Sequence, residues 1–234
     1  STVYRCVDMR LGRQVAAKVM DERYDDDPVF IKRFSREARA MARLQHPNLV
    51  AIHDFSADGE PIDLIMELID GGTLRELLAE GGPLTVPAAL STLRSVLQGL
   101  TEVHSTGLIH RDIKPDNVLL SGHYGDALVE QVRVADFGIA TLMGQTESQG
   151  FYGTPAYMSP ERKAYGSSDS SADIYSAGVM LHELLVGAVP LVDADSAVQI
   201  SDHLPEDVRT VLENLMSLSP KNRPQAAQAV AQVR

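Results

Sequence analysis

Two clusters hold the side chains best suited to chemistry in this chain. They are His110-Arg111-Asp112-Ile113-Lys114-Pro115-Asp116-Asn117 and, downstream, Asp136-Phe137-Gly138. Asp112 supplies a carboxylate able to orient a hydroxyl and accept its proton, and Lys114 adds a positive charge nearby. Asn117 and Asp136 offer hard oxygen ligands, the donors that magnesium or manganese prefers. A carboxylate, an ammonium and an oxygen-bound divalent cation suit transfer of a phosphoryl group. An isolated Asp-Phe-Gly occurs by chance in many loops, but placed after the first cluster it becomes specific.

The elements that must hold these groups can be read from periodicity. Thr2 to Asp8 and Gln14 to Met20 alternate as strands around Leu11-Gly12-Arg13. Asp25-Asp26-Asp27-Pro28 carries N-cap acids and a proline suited to a first helical turn. The helix beyond it puts Phe30, Phe34, Met41 and Leu44 on one face, with Glu37 on the same stripe. An acid there needs a positive partner or water, because burying it alone is costly. Leu49 to Ser56 and Ile62 to Leu68 read as strands around Ala57-Asp58-Gly59-Glu60, and Asp70-Gly71-Gly72 breaks the pattern.

Helices dominate from Thr73, which caps Leu74 to Ala79; Pro87 to Ser105 follows with Leu90, Leu93, Val96, Leu97 and Leu100 inward. Short strands at Val118 to Leu120 and Val132 to Ala135 flank a polar excursion, Ser121 to Glu130. Further helices are expected over Ala172 to Leu185, Glu206 to Leu218 and Pro224 to Val230. The result is an α+β chain with a strand-rich first part, a helical second part and a cleft between them.

Bulk properties narrow the function. At 234 residues and 44% hydrophobic, the chain can bury a real core. A net charge of −11 argues against a duplex nucleic-acid binder, whose footprint would be a basic stripe. The longest apolar stretch, Ile174 to Val192, is interrupted by Ser176, His182 and Glu183 and falls short of a membrane span. The lone Cys6 permits no internal disulfide and is expected as a buried thiol in a reducing compartment.

The order of these motifs, over nearly the whole chain, resembles the eukaryotic-like Ser/Thr protein kinases of bacteria, and their wording is most similar to the actinobacterial members. The resemblance implies a bilobal protein-kinase-like fold: a small antiparallel N-lobe with one helix over residues 1–66, a hinge over 67–72, and a larger, mainly helical C-lobe over 73–234. Val15-Ala16-Ala17-Lys18 then matches the strand whose lysine contacts the α/β-phosphates of ATP, with Glu37 as its ion-pair partner. Val3 and Ala16 would cover the adenine, Met66 back it, Glu67 and Leu68 meet its edge and Leu119 support it from below. Asp112 becomes the base and Lys114 the partner of the γ-phosphoryl, while Asn117 and Asp136 hold Mg²⁺, or Mn²⁺ in its place. His110 becomes structural.

In the activation segment, residues 136–161, Arg111 would face a phosphate on Thr141, Thr146 or Ser148, with Tyr152 the weaker candidate; no basic residue follows Gly138 closely. Thr154 would contact Asp112 and Lys114, a Ser/Thr-specificity pattern. Glu161 would pair with Arg223, and Asp173 would accept from the catalytic-loop backbone. Ser1 aligns with the third position of a glycine-rich loop, so the first strand and most of that loop are expected upstream, and the stretch after Ala188 is short for such a family.

The expected activity is ATP-dependent phosphorylation of protein serine and threonine, with autophosphorylation. Its chief rival is a catalytically inactive pseudokinase serving as a docking module. Protein substrates and an N-lobe homodimer are the expected partners, without nucleic acid or direct membrane contact. The domain is expected to be cytoplasmic, with its parent anchored in the membrane.

Overall fold

The computed structural model describes residues 1–24, 26–57, 62–121, 132–136, 154–166, 169–192 and 198–233. Four strands, β1 (Thr2–Asp8), β2 (Arg13–Val19), β3 (Ile52–Ser56) and β4 (Asp63–Glu67), form an antiparallel sheet in the order β1-β2-β4-β3. Gly12, at φ 66°, closes the first hairpin in a conformation that a side chain would strain. The register sets Val3 opposite Lys18 and Ala16 opposite Met66. Cross-strand partners and alternate residues share a face, so these four side chains lie on one side of the sheet. Cys6 is only half-buried rather than fully buried, because β1 is an edge strand with a largely exposed face.

Helix α1 (Pro28–Met41) starts at Asp27, whose carboxylate accepts from the backbone N–H of Val29 and Phe30 at 2.9 and 3.1 Å. It buries Phe30, Phe34, Ala38 and Met41. Leu44 is also buried but lies beyond the helix end. Leu49 and Val50 were expected in β3 but bond elsewhere: Val50 N–H donates to the Val134 carbonyl at 3.0 Å, and Val134 N–H donates to that of Asn48 at 2.9 Å. Those bonds tie the approach to β3 to the hairpin β5 (Val118–Leu120) and β6 (Val132–Val134).

The second part contains α2 (Leu74–Gly81), α3 (Val86–Ser105), α4 (Pro160–Tyr165), α5 (Ser170–Val186), α6 (Glu206–Leu215) and α7 (Ala226–Gln232). Thr73 and Glu76 close a reciprocal capping box on α2. Helix α5 is buried at every residue from Ala172 to Leu184, so the other helices pack around it and its polar residues, Asp173, His182 and Glu183, are interior. Helix α6 ends before the expected Leu218, ahead of a 3-10 turn at Pro220–Asn222. Helix α7 begins after Pro224 because Gln225 and Gln228 form its cap. The sequence reading lacked α4 and the short pair β7 (Leu191–Val192) and β8 (Val198–Gln199). The two-part α+β arrangement holds.

Candidate active site

A small apolar cluster separate from the main core unites Ala16, Val50, Met66 and Ala135, with Leu68, Ile69 and Leu119 against it. Ala16, Met66, Leu68 and Leu119 are the expected adenine-facing residues; Val50, Ile69 and Ala135 are additions. Val50 and Ala135 arrive through the cross-part bonds above, which strand periodicity does not encode. Val3 is 55% exposed on the same sheet face, and Glu67 ends β4.

Lys18 is buried, and its Nζ lies 2.6 Å from Oδ1 of Asp136. This corrects the expected Lys18–Glu37 ion pair, for among the described residues Glu37 makes neither ion pair nor hydrogen bond. A buried ammonium needs a carboxylate, and Asp136 is the one within reach. Burial pushes the Glu37 carboxyl above its usual value, against the opposing charges of Arg111, Arg36 and Arg33.

Asp112 and its neighbours form a connected group. Asn117 Nδ2 donates to Asp112 Oδ2 at 2.9 Å and to its carbonyl at 2.7 Å. Lys114 Nζ stands 3.1 Å from the same Oδ2 and donates to Thr154 Oγ1 at 3.0 Å. Thr154 thus reaches Asp112 through Lys114. Both side-chain contacts of Asp112 fall on Oδ2, and the amide of Asn117 is oriented with its nitrogen toward Asp112. That leaves Asn117 Oδ1 and the second oxygen of Asp136 as acceptors, an oxygen-only donor set that fits Mg²⁺.

The backbone beneath is strained and braced. Among the described residues, Arg111 and Asp136 are the non-glycine residues with positive φ, 69° and 61°, a conformation that ordinary side chains rarely adopt. Arg111 N–H and His110 N–H donate to Asp173 at 2.7 and 2.8 Å, and Arg162 donates to the Arg111 carbonyl. Asp173 is fully buried. Burial acts to raise its pKa, but the hydrogen bond from His104 and the backbone N–H of His110 help outweigh it, so the carboxyl sits below its usual value. His110 is also buried; its Nε2 lies 2.9 Å from the Ala135 carbonyl and its Nδ1 accepts from Asp112 N–H at 3.2 Å.

Glu161 and Arg223 meet in a two-pronged pair at 2.7 and 2.8 Å. A second network was not foreseen: Arg75 of α2 bonds Glu183 at 2.6 Å, Tyr157 Oη at 2.6 Å and Asp116 at 3.3 Å, and Tyr157 donates to Glu183. Its partners are far apart in sequence, and only the Asp-Asn of the first cluster hinted at it. Phe137, Gly138, Thr141, Thr146, Ser148 and Tyr152 lie outside the described residues, as does most of the excursion after Ser121. Among the described residues no His/Cys/Asp/Glu cluster of metal-binding geometry occurs, and no helix is long and apolar enough to cross a membrane.

Comparison with known proteins places this geometry in context. The family profile described as "Protein kinase domain" matches residues 1–233. Serine/threonine-protein kinase PknL of Mycobacterium tuberculosis is 48% identical over 204 residues, spanning 86% of this chain and 49% of the relative. Serine/threonine-protein kinase PkaA of Streptomyces coelicolor is 37% identical over 228 residues, 92% of this chain and 41% of the relative. The crystal structure of Rad53 1-466 in complex with AMP-PNP superposes with a TM-score of 0.78 at 27% identity, covering 99% of this chain and 61% of that one. The chain spans about half the length of the PknL relatives it matches.

Proposed function

Because this chain belongs to the protein kinase domain family, we propose that it transfers the γ-phosphoryl group of ATP to serine and threonine hydroxyls of proteins. The observations that carry this reading are two groups in contact at 2.6 to 3.1 Å, Lys18 with Asp136 and Asp112 with Asn117 and Lys114, linked through the Ala135 N–H, which donates to the Asn117 carbonyl at 2.9 Å. Residues 1–66 act as one lobe and 73–234 as the other, with adenine held at the hinge over 67–72 between Ala16 and Leu119 against Met66. The AMP-PNP bound in the Rad53 structure supports a nucleotide in this cleft.

The substrate hydroxyl is oriented by the Asp112 oxygen not engaged by Asn117 and Lys114. Its oxygen bonds to the γ-phosphorus as the bond from that phosphorus to the β,γ-bridging oxygen breaks, and the hydroxyl proton passes late to Asp112. Lys114 offsets charge on the transferring group, and its bond to Thr154 ties it to the segment that presents the peptide. Lys18 exchanges Asp136 for the α/β-phosphates and Glu37. Asn117 Oδ1 and Asp136 would hold Mg²⁺, which when bound neutralises phosphate charge. Positioning and electrostatics carry most of the rate.

Thr141, Thr146 or Ser148 receives an activating phosphate opposite Arg111, protein substrates are the partners, and the N-lobe pairs with a second copy. The domain works on the cytoplasmic face of a longer, membrane-anchored parent. Labelled Mg-ATP with a generic basic protein, followed by phosphoamino-acid analysis, tests the reading. Metal-dependent label on serine and threonine supports it; absence of transfer, or label on tyrosine alone, opposes it.

A further inference from the structure

The end of α1, the loop to β3, the start of β3 and strand β6 enclose a half-open cavity of about 430 Å³. That volume lies within the range of small-molecule sites. Its apolar wall is Leu44, Pro47, Leu49 and Ile52, and its polar groups are Gln45, His46, His53 and Arg133. Among the described residues no carboxylate lines it, although the chain carries a net charge of −11.

The polar groups are held with donors to spare. His46 Nδ1 accepts from Asn48 N–H at 3.1 Å, which leaves the proton of the neutral ring on Nε2. Arg133 uses Nη1 on Glu67 Oε2 at 3.1 Å and its Nε is sealed from solvent, which leaves Nη2 without a bond among the described residues. Burial and the charge of Arg13 hold His53 below the usual imidazole value, with Glu67 and Asp8 opposing, so it adds a hydrogen-bonding group but no charge near neutral pH.

We propose that this cavity binds a small organic carboxylate with an apolar body, its anion paired with Nη2 of Arg133 and its body on Leu44, Leu49 and Ile52. A hydrogen bond from a guanidinium to a carboxylate is charge-assisted and stronger than a neutral one. A single cation already shared with Glu67 suits a monoanion and leaves a phosphate dianion undercompensated.

The site also shares walls with the nucleotide cleft. Leu119, in the apolar cluster of the cleft, is the cross-strand partner of Arg133. Glu67 bonds Ala51, which lines the cavity, through its backbone N–H at 2.8 Å. An anion drawing Arg133 from Glu67 therefore alters the hinge, and coupling to nucleotide is reciprocal. This coupling rests on Glu67 meeting adenine; the site itself does not.

The test is methyl NMR of the 234-residue chain titrated with 1-naphthoate, with 1-naphthamide and inorganic phosphate as controls. Naphthoate should shift Leu44, Leu49 and Ile52 methyls saturably, and neither control should. Arg133→Gln and Ala42→Phe, the latter filling the cavity mouth away from the catalytic groups, should each weaken binding about tenfold or more. AMP-PNP should change naphthoate affinity by the factor that naphthoate changes its own. Absence of saturable shifts, shifts centred on Leu119 and Leu68 and competitive with AMP-PNP, or affinity unchanged in both variants would overturn the site. Full binding without reciprocal coupling would overturn the link to the hinge.

Discussion

The ammonium of Lys18 on β2 and the carboxylate of Asp136 after β6 meet at 2.6 Å across the cleft between the two parts of the chain. Lys18 is buried and Asp136 is about a third exposed, so the pair joins an interior cation to a solvent-reachable acid. Lys18→Met should reduce phosphoryl transfer by about 10²- to 10³-fold, the usual loss when a charge-stabilising donor is removed. Stability should change by no more than about 1 kcal/mol, because the freed carboxylate stays hydrated. Kinetics alongside thermal unfolding check this; a large stability loss with transfer intact would contradict it.

Glu37 is half-buried and outside the Lys18 pair in this structure; the proposed function makes it the lysine's partner in the transferring state. Glu37→Gln should lower kcat/KM by roughly tenfold or more while nucleotide-free stability holds or rises, since a raised folded-state pKa marks a carboxylate that is costly to ionise. A variant with wild-type kinetics would remove Glu37 from the mechanism.

His110 is bonded on both ring nitrogens in the neutral form, donating to Ala135 and accepting from Asp112. Burial holds its pKa below the ordinary 6.5. The unfolded chain therefore takes up this proton first, and stability is lost as pH falls through 6.5, with a slope of up to about 1.4 kcal/mol per pH unit. His53, also lowered, contributes with the same sign. Urea unfolding across about pH 5.5 to 7.5 should show this slope; it should flatten in His110→Gln and far less in His53→Gln.

Arg223 has a fully buried side chain that pairs with Glu161, bonds the Ser217 carbonyl at 2.8 Å and lies over the Tyr175 ring. Arg223→Met should cost about 3 to 5 kcal/mol, because it leaves a partly buried carboxylate unpaired. Burial acts to raise the Glu161 pKa, but the Arg223 hydrogen bond outweighs it and the net value is lowered. Its contribution is therefore full above its ordinary 4.5 and lost as pH falls below that value. Denaturant midpoints of wild type and variant should converge in acid; a constant gap would contradict this.

Gly178 lets α5 and α6 approach closely: a Cβ there would lie 2.7 Å from Met216 Cγ and 2.9 Å from Leu215 Cβ. Gly178→Ala should destabilise by about 1 to 3 kcal/mol through overpacking, despite the better helix propensity of alanine. Thermal unfolding decides it, and a stabilised variant would show that the contact relaxes freely.

What the sequence could reveal follows from how local each feature is. Asp112, Lys114 and Asn117 sit within one short turn, so their spacing nearly determines their geometry, and the caps of α1 and α2 are equally local. Lys18 was recognisable as a functional cation, but its partner was not, because Glu37 and Asp136 compete by tertiary distance. The same reason hid Arg75, which gathers Glu183, Tyr157 and Asp116 from three separate segments. Leu49 and Val50 have strand-like residues, yet Val50 bonds the β5–β6 hairpin and joins the apolar cluster of Ala16 and Met66. Periodicity fixes which face is apolar without saying which surface covers it.

Single-turnover transfer from Mg-ATP to a protein acceptor, comparing the wild-type chain with Asp112→Asn at equal nucleotide occupancy, is the most direct test of Asp112 as the group that receives the hydroxyl proton. The expected result is a rate lowered by about 10²- to 10⁴-fold with ATP affinity nearly unchanged. Transfer by Asp112→Asn at close to the wild-type rate would contradict it.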